Sequence, residues 1–184
     1  LIKLSKNLMI RFFDIFISLI TLIFLLPLFL ILPILIKTDS KGPIIFKQKR
    51  MGINKRTFYI YKFRTMNNNN RLEFSNNKVL NEVTRVGFFL RKYKIDELPQ
   101  FLNVLINNMS IVGPRPELEK YINNYSADDA KIIFANKPGI TDFASIAFFN
   151  ESNIIEKNHL TENLSKEEYY IKYILPKKNK LSLI

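Results

Sequence analysis

From Ile15 to Ile36 the chain reads IFISLITLIFLLPLFLILPILI, an apolar run without a single charge. A helix needs about 20 such residues to cross the hydrocarbon layer of a bilayer, so the run is long enough for a membrane and too long for a cleaved signal peptide. Two features set it apart from a plain span. Pro27 stands near its middle and Pro33 follows. A proline inside a helix removes one hydrogen bond and clashes with the carbonyl four residues back, which costs about 3 kcal/mol or a bend. Both flanks are basic, with Lys3, Lys6 and Arg11 before the run and Lys37, Lys41, Lys47, Lys49 and Arg50 after it. Basic flanks favour the cytoplasmic side, and here they draw both ends there. A helix that enters, breaks at Pro27 and returns satisfies both observations; a kinked helix that crosses once is the alternative. Arg11 and Asp14, three residues apart, are placed to pair where the chain enters.

The chain has no cysteine and one histidine, His159, in a polar stretch that reads as surface. Disulfides, thiolate metal sites, a cysteine nucleophile and multi-histidine metal chemistry are thereby excluded or disfavoured. Catalysis must rest on carboxylates, hydroxyls, lysines and arginines. The net charge of +12 calls for anionic company, which nucleic acid, phosphorylated substrates and anionic lipid all supply.

Beyond the apolar run, the pattern is mainly α with a small β element. Gly42-Pro43 marks a turn, Ile44–Phe46 a short strand, and the alternation through Phe58, Ile60 and Lys62 a second. Asn67–Asn70 is a polar loop, and residues 79 to 92 turn helical towards their end. In DELPQFLNVLINNMS, Leu98, Phe101, Leu102, Leu105 and Met109 recur at helical spacing and predict one apolar face. Gly113 and the two prolines of SIVGPRP end that helix. Ser165 with Glu168 predicts a capping box for a last helix reaching about Tyr173. Lys177, Lys178 and Lys180 read as a solvated or lipid-facing tail.

The chemistry concentrates at Asp96-Glu97, at a predicted helix start amid Arg91, Lys92, Lys94 and Arg115. Acids there can simply cap free amides. They can also act: one carboxylate attacks a phosphoryl or glycosyl centre and holds a covalent intermediate, while its neighbour holds Mg²⁺. Nearby cations would neutralise charge on the transferred group and lower the pKa of the attacking acid. The stretch Tyr59-Ile60-Tyr61-Lys62-Phe63-Arg64 reads as a strand with one buried face, or as aromatics that stack on bases.

Taken together, Arg11–Asp14 before the run, SKGPIIFKQKRMG (Ser40–Gly52), FYIYKFRTM (Phe58–Met66), the stretch Thr84–Glu117 and KPGIT (Lys137–Thr141) resemble the monotopic phosphoglycosyl transferases, the bacterial sugar transferases that initiate glycan assembly. The resemblance implies a re-entrant membrane helix over residues 1–37, broken at Pro27, and a compact cytosolic catalytic domain over 38–184 with interfacial amphipathic helices. It places the protein at the cytoplasmic face of the bacterial inner membrane, among its lipids. Asp96 would attack the sugar-linked phosphate of a UDP-sugar, expel UMP, and pass the phosphosugar to undecaprenyl phosphate. Glu97 matches the acid that holds Mg²⁺. Lys62, Arg91 and Arg115 match basic positions around the phosphates and nucleotide, with Arg64 a further candidate; nucleic acid is not an expected partner. The chain departs from the family in Leu26, where a serine often stands, and in DFASIAFFNE after KPGIT. Its ending, YYIKYILPKK, resembles one branch with a Tyr-Tyr…Leu-Pro-Lys pattern. The alternatives are a tethered basic protein that binds anionic lipid or nucleic acid, and a scaffold that has lost activity. Neither explains why acids and cations recur in this order.

Overall fold

The computed structural model describes residues 2–67 and 83–183. It is mainly helical, with two small two-stranded sheets. The chain divides into two units, Leu1–Gln48 with Tyr59–Ile106, and Lys49–Phe58 with Asn107–Ile184.

The first unit opens with α1 (Ile2–Phe24) and α2 (Leu26–Asp39), separated by a break at Leu25, whose ψ of 6° leaves the helical range. Pro27 lies in the first turn of α2, where a missing N–H is tolerated, so the helix yields just ahead of the proline. Pro33 sits inside α2 without ending it. The stretch Asn7–Phe24 is long and apolar enough to cross a membrane. Its polarity is inside out: Asp14 and Ser18 are buried, while Phe12, Phe16 and Ile23 are exposed and Phe24 is 81% exposed. In water each such side chain would forgo about 1.5–3 kcal/mol of burial.

β1 (Ile45–Met51) extends well past the three residues expected of it, and pairs with β2 (Thr57–Phe63) across a turn in which Asn54 and Lys55 take positive φ. Phe63 of β2 joins Leu32, Ile36 and Leu90 in the core of this unit. α3 (Arg85–Lys92) starts on two caps, with Gly87 N donating to Thr84 Oγ1 and Val86 N to Asp39 Oδ2, each at 2.9 Å. The polar loop expected at Asn67–Asn70 lies, after its first residue, outside the described residues, as do residues 79 to 82 of the stretch leading into this helix.

The helix expected from Asp96 to Met109 is shorter, and its expected apolar face is mostly covered: Met109 is buried, Leu98, Phe101 and Leu105 are half-buried, and Leu102 is exposed. A 3-10 turn, Ile95–Glu97, precedes α4 (Gln100–Leu105), and Asn107 at φ 69° has left the helix. Gln100, Asn103 and Val104 form its buried side, while Leu102 is exposed. Helical periodicity identified the apolar positions, and α1 is the element that α4 packs against.

The second unit holds β3 (Ser110–Val112), α5 (Ala127–Ile133), β4 (Gly139–Thr141), α6 (Phe143–Ala147), α7 (Glu151–Asn158), α8 (Lys166–Tyr169), a π-turn at Tyr170–Ile174 and α9 (Leu175–Ser182). β3 runs parallel to β4, with Ser110 opposite Gly139 and Val112 opposite Thr141. The capping box of Ser165 and Glu168 is present, but the helical path runs on to Ser182 rather than ending near Tyr173. Two surface readings are corrected here. His159 is buried, with Nδ1 at 3.1 Å from Leu164 O. Lys178 is buried too, and its ammonium donates to Glu151 Oε2 at 2.7 Å.

Gly87 makes the first unit's tightest testable contact, since a Cβ there would fall 2.1 Å from Thr65 O. Gly87→Ala must therefore push α3 off residue 65, at about 1–3 kcal/mol or more. Thermal unfolding should show a clearly lower Tm, and an unchanged Tm would mean that the helix does not seat on this carbonyl.

Candidate active site

The acidic pair sits where the backbone changes direction. Lys94 adopts a left-handed conformation (φ 57°, ψ 19°), the 3-10 turn follows, and Pro99 leads into α4. A non-glycine residue at positive φ is uncommon, and such strain persists only where surrounding structure enforces it. The turn buries the Asp96 side chain, leaving it 8% exposed, and keeps Glu97 half-buried. Lys62 reaches across from β2, its Nζ donating to Glu97 Oε1 at 2.7 Å.

The residue that brings these groups together is one the sequence reading passed over. Asn103, wholly buried, donates through Nδ2 to Tyr59 O at 2.7 Å and accepts at Oδ1 from Tyr61 N at 3.0 Å. Its amide thus pairs with β2 much as a neighbouring strand would, and locks α4 against the strand that carries Lys62. An asparagine embedded in Phe-Leu-Asn-Val-Leu was the available signal, because it favours helix interiors poorly without a dedicated partner. Arg11 was read only as a partner for Asp14. It donates to Val104 O at 2.6 Å and Leu105 O at 2.8 Å, covering the carbonyl end of α4.

Asp96 Oδ1 is buried and has no hydrogen-bond partner among the described residues. Burial first, then the neighbouring Glu97 carboxylate, pushes the Asp96 pKa up from its ordinary 3.8; Lys62, Arg91 and Lys94 pull it down without prevailing. The expectation that the cations would set the direction is thus reversed, because the turn desolvates the acid more than Arg91 and Lys94, both exposed, can offset. Arg64 is 4% exposed, and its Nη2 donates to Ser40 O at 2.6 Å, Ser40 Oγ at 2.9 Å and Ile36 O at 3.3 Å. It fastens the end of α2, whereas Lys62, two residues earlier, meets the acids. Arg115 belongs to the second unit and is half-buried between the buried Pro114 and Pro116. A cavity of about 270 Å³ in that unit, lined by groups such as Val112, Phe143, Ile146 and Leu181, contains none of the candidate residues.

The family model described as bacterial sugar transferase matches residues 5–177, which takes in the dyad, its lysine and the fastening arginines. The chain belongs to the bacterial sugar transferase family. It is similar to a UDP-glucose:undecaprenyl-phosphate glucose-1-phosphate transferase of Klebsiella pneumoniae, 38% identical over 80% of this chain and 33% of the relative. It is also similar to a UDP-N-acetylgalactosamine-undecaprenyl-phosphate N-acetylgalactosaminephosphotransferase of Aeromonas hydrophila, at 39% over 74% of this chain and 33% of that protein. The exopolysaccharide production protein ExoY of Sinorhizobium fredii is 35% identical over 84% of this chain and 77% of its own length. The chain spans about a third of the length of the first two relatives.

In this sugar transferase the raised Asp96 pKa has a consequence for stability. Below 3.8 the acid is protonated in folded and unfolded chains alike. As pH rises through and above that value the unfolded chain ionises first, so the native state loses stability until Asp96 ionises in place. Asp96→Asn mimics the protonated form. In metal-free buffer its Tm should exceed the parent's at pH 7, with the gap closing as pH falls towards 4. An equal or lower Tm at pH 7 would show the carboxylate to be held by its cations after all.

Proposed function

We propose that the protein transfers a sugar phosphate from a UDP-sugar to undecaprenyl phosphate through a phosphosugar–aspartyl intermediate, the entry step of bacterial glycan assembly. The observation that carries this reading is the buried, unpartnered Asp96 Oδ1 beside the Lys62–Glu97 pair. A structural carboxylate would be satisfied; an orphan oxygen in a cationic setting suits a nucleophile. Asp96 attacks the phosphorus that bears the sugar, a P–O bond to the carboxylate forms, and the bond to the departing UMP breaks. A phosphate oxygen of the polyprenol then attacks the same phosphorus and releases Asp96. Lys62 orients Glu97 and offsets charge on the donor, with Arg91 and Lys94 adding positive potential. Arg115 is kept as a donor-binding residue on the strength of its motif.

Glu97, beside Asp96, would hold Mg²⁺, which takes one or two carboxylates and completes its shell with phosphate oxygens and water. No group of three or more acidic, histidine or cysteine side chains is poised for a metal among the described residues. When bound, Mg²⁺ would neutralise charge on the diphosphate.

The same reading makes the apolar run re-entrant, on the cytoplasmic face of the bacterial inner membrane. Arg11, near the start of the run, is bonded to α4, and Ile36 and Ser40, at its end, are bonded to Arg64 just after β2. Asn103 joins α4 to β2. Both ends of the run are thus fastened to one framework, whereas a single crossing would part them by about 30 Å of hydrocarbon.

The first test is UMP release from a panel of UDP-sugars in nanodiscs with Mg²⁺. Release should require undecaprenyl phosphate for turnover and fall by about 10³-fold or more in Asp96→Asn; wild-type rates in that variant would end the covalent mechanism. The absence of native cysteine makes topology direct. Asn7→Cys and Lys41→Cys should both label from the cytoplasmic side of sealed vesicles, and opposite accessibility would establish a crossing helix.

A further inference from the structure

The Tyr-Tyr…Leu-Pro-Lys ending takes no part in the chemistry above, yet two of its residues reach into a buried network behind the PRP motif. Glu117, the residue after that motif, is 6% exposed, and accepts from the Tyr170 hydroxyl at Oε2 over 2.8 Å. On its other side Arg50 Nη1 lies 3.7 Å from Glu117 Oε1 and donates to Pro116 O at 3.2 Å. Lys178 Nζ sits 3.5 Å from the Tyr170 hydroxyl and is paired with Glu151. Two cations and two carboxylates therefore balance around one phenol. Burial, and then the Glu117 charge, drive the Tyr170 pKa far above its usual value, so the hydroxyl keeps its proton and donates.

The π-turn explains how one helical path delivers both groups. In a regular α-helix positions eight apart drift around the axis, while positions seven apart share a face. The extra residue accommodated at Tyr170–Ile174 makes the eight-residue step to Lys178 behave as seven. Lys178 then reaches the same Tyr170 hydroxyl that donates to Glu117, and its ammonium carries the network on to Glu151.

We infer that Tyr170 is a positioning residue for donor binding: through Glu117 it braces Pro116 and so fixes the aim of Arg115. This rests on the donor-binding role proposed for Arg115. The phenol touches no substrate and carries no step of the transfer. The C-terminal motif is on this account a brace for the arginine rather than a reader of the sugar.

The test is steady-state UMP release by the full chain in nanodiscs, with Tyr170→Phe, Arg115→Ala and the double variant, and Tyr169→Phe as the control for loss of a neighbouring hydroxyl. Tyr170→Phe should raise the donor KM about fivefold, the cost of one net hydrogen bond, with kcat and acceptor KM within twofold of the parent. Arg115→Ala should raise donor KM at least as much, and the double variant should be no worse than Arg115→Ala alone. The same donor KM shift should appear with every accepted UDP-sugar. Should Tyr170→Phe lower the folded yield, Lys178→Met, which withdraws the support behind the hydroxyl, should give a smaller KM shift of the same kind. Effects of Tyr170→Phe and Arg115→Ala that multiply, a Tyr170→Phe effect confined to kcat, or one matched by Tyr169→Phe would overturn the inference while leaving the transferase reading intact. An unchanged donor KM in Arg115→Ala would overturn both the inference and that arginine's assigned role.

Discussion

The active arrangement depends on a primary amide. Asn103 replaces a missing strand partner for Tyr59 and Tyr61, and each of its two bonds is shielded from water. Buried amides of this kind are all-or-nothing: fully paired they fix one register, and half-paired they cost more than an apolar contact. The register fixed here is that of β2 against α4. Because side chains alternate along a strand, a slip by one residue would turn Lys62 away from Glu97 and place Tyr61 or Phe63 before the acids. A short helix of low intrinsic stability can thus hold the acidic turn, since its position comes from the strand and its carbonyl end is covered by Arg11.

The same framework resolves the odd polarity of the N-terminal helices. A helix with Asp14 and Ser18 inside and phenylalanines outside is unstable in water and reasonable in lipid, where polar groups must turn towards protein. Arg64 then has a clear physical task. Its Nη2 donates to Ile36 O near the end of α2 and to Ser40 O just beyond it, acceptors left with spare capacity where the helix ends. Lys62, within β2, serves the acids, while Arg64, just past the end of that strand, serves the end of α2.

Much of this was legible in the chain, for reasons that can be stated. The apolar run, the proline near its break, the β1–β2 pairing, the capping box at Ser165 and the acidic pair are local signals, and local signals survive folding. What sequence could not supply was environment. The apolar face around Phe101 was legible, but periodicity reports a face and not the medium against it. His159 and Lys178 looked solvated because their partners, Leu164 O and Glu151, are recognisable only after the helices pack. The direction of the Asp96 shift failed likewise: cations can be counted in a sequence, and desolvation cannot.

The net charge of +12 illustrates the same point in its sharpest form. Read as a sum, it suggests a basic surface open to any polyanion. Read residue by residue, Arg11 and Arg64 are committed to helix carbonyls, Arg50 and Lys178 to a buried network, and Lys62 to Glu97. The aromatic and basic run at Tyr59–Arg64, which invited a stacking interpretation, has Ile60 and Phe63 in the core and its two cations engaged. Arg91 and Lys94 are exposed and act on the desolvated Asp96 through their charge. A field of that kind draws an anion towards Asp96, which the proposed attack on a diphosphate would require.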